Sequence, residues 1–155
     1  MGNNNLTFEC VGLTNGGRFP IDYTGRGRDV SPEIRISNLS EQVKSLIVTL
    51  EDLDHPIKGF THWVIWNIPA TNVIPKGIEH GRKVKSLDDA VQGLGYGLHK
   101  YAGPKPPKGV THNYKITVYA IDCFLDISSF SFKKRVLKAA EGHVLQQGEM
   151  IGTFE

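Results

Sequence analysis

The chain has 155 residues, 39% hydrophobic and 22% charged, the make-up of a single folded domain rather than a disordered tail. Its formal charge is only +2, and its basic residues are scattered, which excludes the basic footprint of a nucleic-acid binder. No apolar run approaches the ~20 residues of a membrane span, so no stable membrane insertion is expected.

A chain of this size buries about 68–70% of the surface it exposes when unfolded. The core therefore needs no metal or disulfide staple, and no cofactor is expected. The start, "MGNNNLTFEC" (Met1 to Cys10), lacks the basic stretch and apolar run of a secretory signal. Gly2 fits the opening of a myristoylation motif, but Leu6 stands where that motif requires Ser or Thr. Cys10 and Cys123 are the only cysteines and lack C-x-x-C spacing, which predicts free thiols and a cytoplasmic protein. A Cys10–Cys123 bridge is the alternative, and it would reverse that location.

"LTNGGRFPIDYTGRGRDVSPEI" (Leu13 to Ile34) is rich in Gly, Pro and Asp and predicts turns. "SLIVTLED" (Ser45 to Asp52) predicts a buried strand, short, apolar and β-branched. "EDLDHP" (Glu51 to Pro56) ends it. In extended chain, residues i and i+2 point the same way, so Asp52 and Asp54 share one side. Two carboxylates that close repel each other unless a cation or a donor faces them. "THWVIWNI" (Thr61 to Ile68) predicts a second strand. Trp63 and Trp66, three apart, face opposite ways; one belongs in the core, the other to a cavity or partner surface. "SLDDAVQGLG" (Ser86 to Gly95) suggests a short helical piece.

"YAGPKPPKGVTHNY" (Tyr101 to Tyr114) holds three prolines and two glycines and is expected to be a stiff loop walling a pocket. "NYKITVYAID" (Asn113 to Asp122) predicts the third strong strand, with Tyr114, Ile116, Val118 and Ala120 facing the core. Beyond it, Ser128 to Ser131 offer helix caps. Leu137, Ala140, Val144 and Leu145 make a helical stripe, and Gly148 a stop. "FKKRVLK" (Phe132 to Lys138) is its solvated face. "GEMIGTFE" (Gly148 to Glu155) is read as a closing strand. The strands precede the only long helix, so the chain is mainly β and antiparallel, with one or two helices at its side. His55, His80, His99 and His143 are read as structural or exposed, with His143 the most packed.

"EDLDHP", "HWVIWNIPA", "YAGPKPPKG" with "THNY", and "AAEGHVLQQGEMIGTFE", in this order and spacing, resemble the phosphatidylethanolamine-binding protein family. They are most similar to its small bacterial and archaeal, Raf-kinase-inhibitor-like branch. "DYTGRGRDVSPEI" resembles that branch's early segment, so the likeness runs from about Phe19 to the end. The resemblance implies an antiparallel β-sandwich with a Greek-key connection and an anion-binding cavity at one end.

Carried over by motif, Asp52 and Asp54 match the pocket carboxylates, and His62 and His112 its histidines. Tyr101, Gly103, Pro106, Pro107 and Gly109 match the loop, and Tyr114 the tyrosine beyond it. Lys105 departs from the pattern, standing at the rim where some members carry a small residue, and its ammonium would add to anion capture or point into solvent. The implied ligand is a small anion or a phosphorylated group such as a phosphorylethanolamine headgroup. In that picture Asp52 accepts from one imidazole, the imidazoles present N–H groups to phosphate, and Asp54 attracts an ammonium. Asn113 stands where the family often has arginine, which removes a cation.

The function expected is a non-catalytic anion-binding module, regulatory through a protein partner, with a homodimer implied by the small family members. Two alternatives stand beside it. One is inhibition of a protease or kinase by protein contact. The other is acid–base or metal-dependent hydrolysis by the Asp/His cluster. Against the latter, no HExxH is present and no GxSxG surrounds Ser31.

Overall fold

The computed structural model describes residues 4–155, so Gly2 lies outside the described residues. The strands are β1 (Phe8–Cys10), β2 (Ile34–Ile36), β3 (Ser45–Asp52), β4 (Phe60–Pro69) and β5 (Val73–Ile74), then β6 (Lys83–Val84), β7 (Ala90–Gln92), β8 (His112–Ile121) and β9 (Val144–Phe154). One helix, α1 (Lys133–Ala139), precedes β9. The strands form a six-stranded sheet, β6-β7-β4-β3-β8-β9, and a three-stranded sheet, β1-β2-β5. Every pairing between these strands is antiparallel.

Central strand β3 is apolar on both faces because both faces are covered. Leu46, Val48 and Leu50 meet Cys10, Ile34, Ile36 and Ile74 of the small sheet in the main core. Ile47 points the other way, where Val64 and Trp66 pack against Val136 and Ala140 of the helical segment. The mainly β, antiparallel class expected from the sequence is the observed one, and β3 spans the residues expected.

Both tryptophans are core residues, on opposite faces of the large sheet, which corrects the reading of one as a cavity or partner residue. The Trp63 indole donates to buried Gln92 at 2.8 Å. "SLDDAVQGLG" is not helical. A 3-10 turn, Lys85–Leu87, leads into β7, whose Ala90 and Gln92 are buried.

The long helix is also corrected. It lasts seven residues, and Phe132 rather than a serine stands at its N-cap. Gly142, at φ 81°, turns the chain, and Val144 and Leu145 begin β9. The edge of β8 decides this. Its ladder to β9 runs from His112↔Phe154 to Ile121↔Val144. That many backbone pairs outweigh one more helical turn, which would leave the β8 edge bare. Gly148 is therefore no helix stop. It lies opposite Val118, where a Cβ would run into the Leu6 carbonyl.

Candidate functional site

Asp52 and Tyr114 are directly opposite each other at the end of the β3–β8 ladder. His112 opens β8 two residues before Tyr114, so period-two alternation puts its ring on the same face. His62 reaches that face by a different route. Alternation from Trp63 would send it to the other side. The pairing skips there, however, from Leu50↔Trp63 to Glu51↔Thr61, and leaves His62 as the extra residue of a β-bulge. Its ring then stands 5.4 Å from that of Tyr114, edge to face.

These residues open on a cleft of about 440 Å³ lined by Asp52, Asp54, His55, Pro56, Phe60, His62, Tyr96, Lys105, Pro106, Pro107, His112 and Tyr114. Of the residues named from the sequence, the cleft gathers both aspartates, both histidines, Lys105, Pro106, Pro107 and Tyr114. Tyr101 and Gly103 stand behind the wall. Tyr101 is buried against Trp63, and its hydroxyl donates to the Tyr23 carbonyl at 2.6 Å. Gly103 passes so close to Tyr23 that a Cβ would strike its carbonyl oxygen. Gly109, at φ 80°, makes an open turn outside the cleft.

Buried Asp52 bridges the site. One carboxylate oxygen accepts from His112 Nδ1 at 2.8 Å, and the other from the Asp54 backbone N–H at 2.9 Å. Asp54 is exposed and held from β8: Asn113 donates its backbone N–H at 2.6 Å and its side-chain amide at 3.0 Å to one oxygen. Those bonds keep the Asp54 carboxyl below its usual pKa. So Asn113 braces the second carboxylate.

The tautomers follow from the partners. His62 Nδ1 faces the carbonyls of Ala102 (2.9 Å) and Gly103 (3.2 Å), which can only accept, so Nδ1 carries the proton. His112 Nδ1 donates to a carboxylate in the same way. Both rings therefore leave Nε2 for a ligand: an acceptor when neutral, a donor when charged. Burial pulls the His62 pKa below its ordinary value, against the carbonyls and Asp52 that favour the charged form. The Tyr114 hydroxyl is buried beside the Asp52 carboxylate and the Lys105 backbone. Burial, with Asp52 nearby, pushes its pKa up, so it stays a neutral donor.

His55 is the residue the sequence reading missed. It lines the cleft and stacks on Phe60 with centroids 3.7 Å apart. Its Nδ1 accepts from the Ile57 N–H at 3.0 Å, which puts its proton on Nε2, so it donates while neutral. Phe60 and Tyr96 complete an aromatic side around His62. Only the "HP" step after the aspartates hinted at His55.

The Pro-rich wall is held from the turn segment before β2. Arg26 Nη2 donates to the Pro106 carbonyl at 2.6 Å, the Gly25 N–H to Pro104 at 2.9 Å, and the Gly103 N–H to Asp29 at 2.7 Å. Ser31 accepts the Ile78 N–H at 2.9 Å with its buried hydroxyl, a structural bond away from the cleft. Cys10 and Cys123 are free thiols.

Comparison with known proteins shows the family of the chain. Residues 12–155 match the family model "Phosphatidylethanolamine-binding protein". The chain is 41% identical over 138 residues to the UPF0098 protein PH1269 of Pyrococcus horikoshii, covering 88% of this chain and 70% of that one. It is 38% identical over 140 residues to a UPF0098 protein of Methanothermobacter thermautotrophicus, covering 89% and 91%. Among solved structures it is similar to E. coli YbcL, described as a new member of the mammalian PEBP family. That match has TM-score 0.85 and 27% identity over 97% of this chain and 98% of that one. It is also similar to the homologue CT736 of Chlamydia trachomatis, with TM-score 0.84 and 28% identity over 99% of both chains. The chain belongs to the phosphatidylethanolamine-binding protein family, in its bacterial and archaeal branch.

Proposed function

We propose that the cleft binds a small anion, free or as the phosphoryl group of a larger ligand, without catalysing its reaction, and that a protein partner reads the bound state. One observation carries this reading. His62 and His112 have their Nδ1 atoms fixed by carbonyls and by Asp52, which leaves both Nε2 atoms for a ligand. His55 Nε2–H and Lys105 supply a donor and a cation at the rim. A phosphate oxygen that brings a proton can donate to a neutral Nε2. A fully ionised one is bound with proton uptake by the imidazole. The second kind, imidazolium to phosphate, is charge-assisted and therefore short and strong.

Support for a partner lies next door. A groove of about 540 Å³ shares Phe60 and Tyr96 with the cleft and is bounded by Ile57, Phe132, Lys58 and Lys134. Ile57 (64% exposed), Tyr96 (55%) and Phe132 (62%) leave apolar surface uncovered there, the kind of patch that marks contact with another molecule.

Isothermal titration with inorganic phosphate and O-phosphorylethanolamine tests the reading. Saturable binding to one site per chain, lost in His112→Ala and Asp52→Ala, is expected. No binding by folded, monodisperse wild type overturns it. Incubation with a generic phosphomonoester checks the hydrolase alternative, and no phosphate release is expected.

A further inference from the structure

The far end of β8 carries a second cluster. Asp122 and Cys123 follow the strand directly, and His143 closes the turn that enters β9. The two segments are tied together. The Asp122 N–H donates to the His143 carbonyl at 3.1 Å, and Ile121 pairs with Val144. The Ser45 hydroxyl holds the Cys123 carbonyl at 2.5 Å. The backbone under the cluster is therefore fixed on both sides. Above it, Asp122 Oδ1 and His143 Nδ1 lie 2.8 Å apart, with side chains 42% and 47% exposed. One donor atom from each of Asp122, Cys123 and His143 lies within 4.8 Å of the other two, the only such group of His, Cys, Asp and Glu among the described residues.

We infer that Asp122, Cys123 and His143 form a binding site for a borderline-soft divalent ion of the zinc type. The donor set selects the ion class. A thiolate and an imidazole with one carboxylate is a zinc set, whereas magnesium and calcium require oxygen ligands. Three protein ligands leave a fourth, solvent-facing position open. At Zn–S and Zn–N bonds of about 2.3 and 2.0 Å, tetrahedral ligand atoms are roughly 3.5 Å apart. The cluster reaches that spacing by rotamer adjustment of the exposed Asp122 and His143 side chains. The entering ion replaces the Asp122–His143 hydrogen bond: the imidazole proton passes through solvent from Nδ1 to Nε2, and the thiol proton of Cys123 leaves to solvent as the metal–sulfur bond forms. This site is separate from the anion cleft. The ten residues of β8, at about 3.3 Å each, hold the two roughly 30 Å apart. The sequence hid it because His143 is twenty residues from Cys123 and meets it only across the β8–β9 ladder.

The test is a cobalt titration of the full chain, stripped with a chelator, kept reduced and free of any histidine tag. A thiolate-to-cobalt charge-transfer band that saturates at one ion per chain, and is displaced by Zn²⁺, is expected. Cys123→Ser should abolish the band. His143→Gln should weaken Zn²⁺, measured against a chromophoric chelator, by at least about tenfold. Cys10→Ser should change neither. Far-ultraviolet circular dichroism of the variants checks that they are folded. A wild-type chain with no charge-transfer band, or a band that survives Cys123→Ser, overturns the proposal.

Discussion

His62 is subject to two opposed demands. Folding buries its ring, which disfavours the imidazolium and holds its pKa below 6.5. An anion in the cleft favours that same imidazolium. As pH falls, the unfolded chain takes up this proton first. The stabilisation is thus full above pH 6.5 and is lost as pH drops from there toward the folded pKa. Thermal melts from about pH 8 to about pH 5 should show wild type losing Tm faster than His62→Gln, and saturating phosphate should shrink the difference. His112 acts through Asp52. His112→Ala removes one Nε2 and takes from the buried Asp52 carboxylate its imidazole donor. Phosphate binding should weaken at least about tenfold, and unfolding free energy should fall by about 2 kcal/mol, read by titration and by urea melts. His55→Ala should weaken phosphate only several-fold, because its donor sits at the rim.

At the scale of elements, the Pro-rich loop is a wall because the turn segment before β2 braces it. Gly103 is required by close approach to the Tyr23 backbone. Gly103→Ala should cost about 1–3 kcal/mol in urea unfolding and lower phosphate affinity with it. Arg26 reaches the wall from outside the cleft, through the Pro106 carbonyl. Arg26→Ala should lower phosphate affinity several-fold while stability changes by less than about 1 kcal/mol, because it frees the loop to move without opening the core. Equal losses of affinity and stability in that variant would instead mark the bond as part of the global fold. The sequence identified the loop as stiff from its prolines. It did not show that stiffness alone leaves a loop unplaced, since the bonds that place it come from residues about eighty positions away.

At the scale of the molecule, the six-stranded sheet separates two apolar layers with different duties. The layer between the sheets carries the cleft at its end. The outer layer seats α1, and Glu51 on that face is ion-paired to Lys133 (2.7 Å) and Lys115 (3.2 Å). Those lysines hold the Glu51 carboxyl below its ordinary value despite the upward pull of burial, so this contribution is full at neutral pH and is lost as pH falls from the ordinary carboxylate range through the lower folded pKa. Val136→Ala in the outer layer should cost about 2 kcal/mol and leave phosphate affinity within about twofold. Leu46→Ala in the inner layer should cost about 2–5 kcal/mol. Urea melts and titration read both.

The sequence by itself determined the three central strands, because each is a short run of apolar, β-branched and aromatic residues bounded by turn formers. It also determined the antiparallel class and the family, whose motifs are ordered along the chain. Only the tertiary structure decided three things. β9 replaced the second half of a plausible-looking helix, because the free edge of β8 outweighed a local apolar stripe. His62 turned into the cleft, because a bulge in its pairing with β3 overrode alternation. The proton of each cleft histidine was assigned by a partner distant in sequence or by a turn closed around it. Periodicity reports which residues need burial. Which face, edge or hydrogen-bond partner satisfies them is settled only when strands far apart in the chain meet.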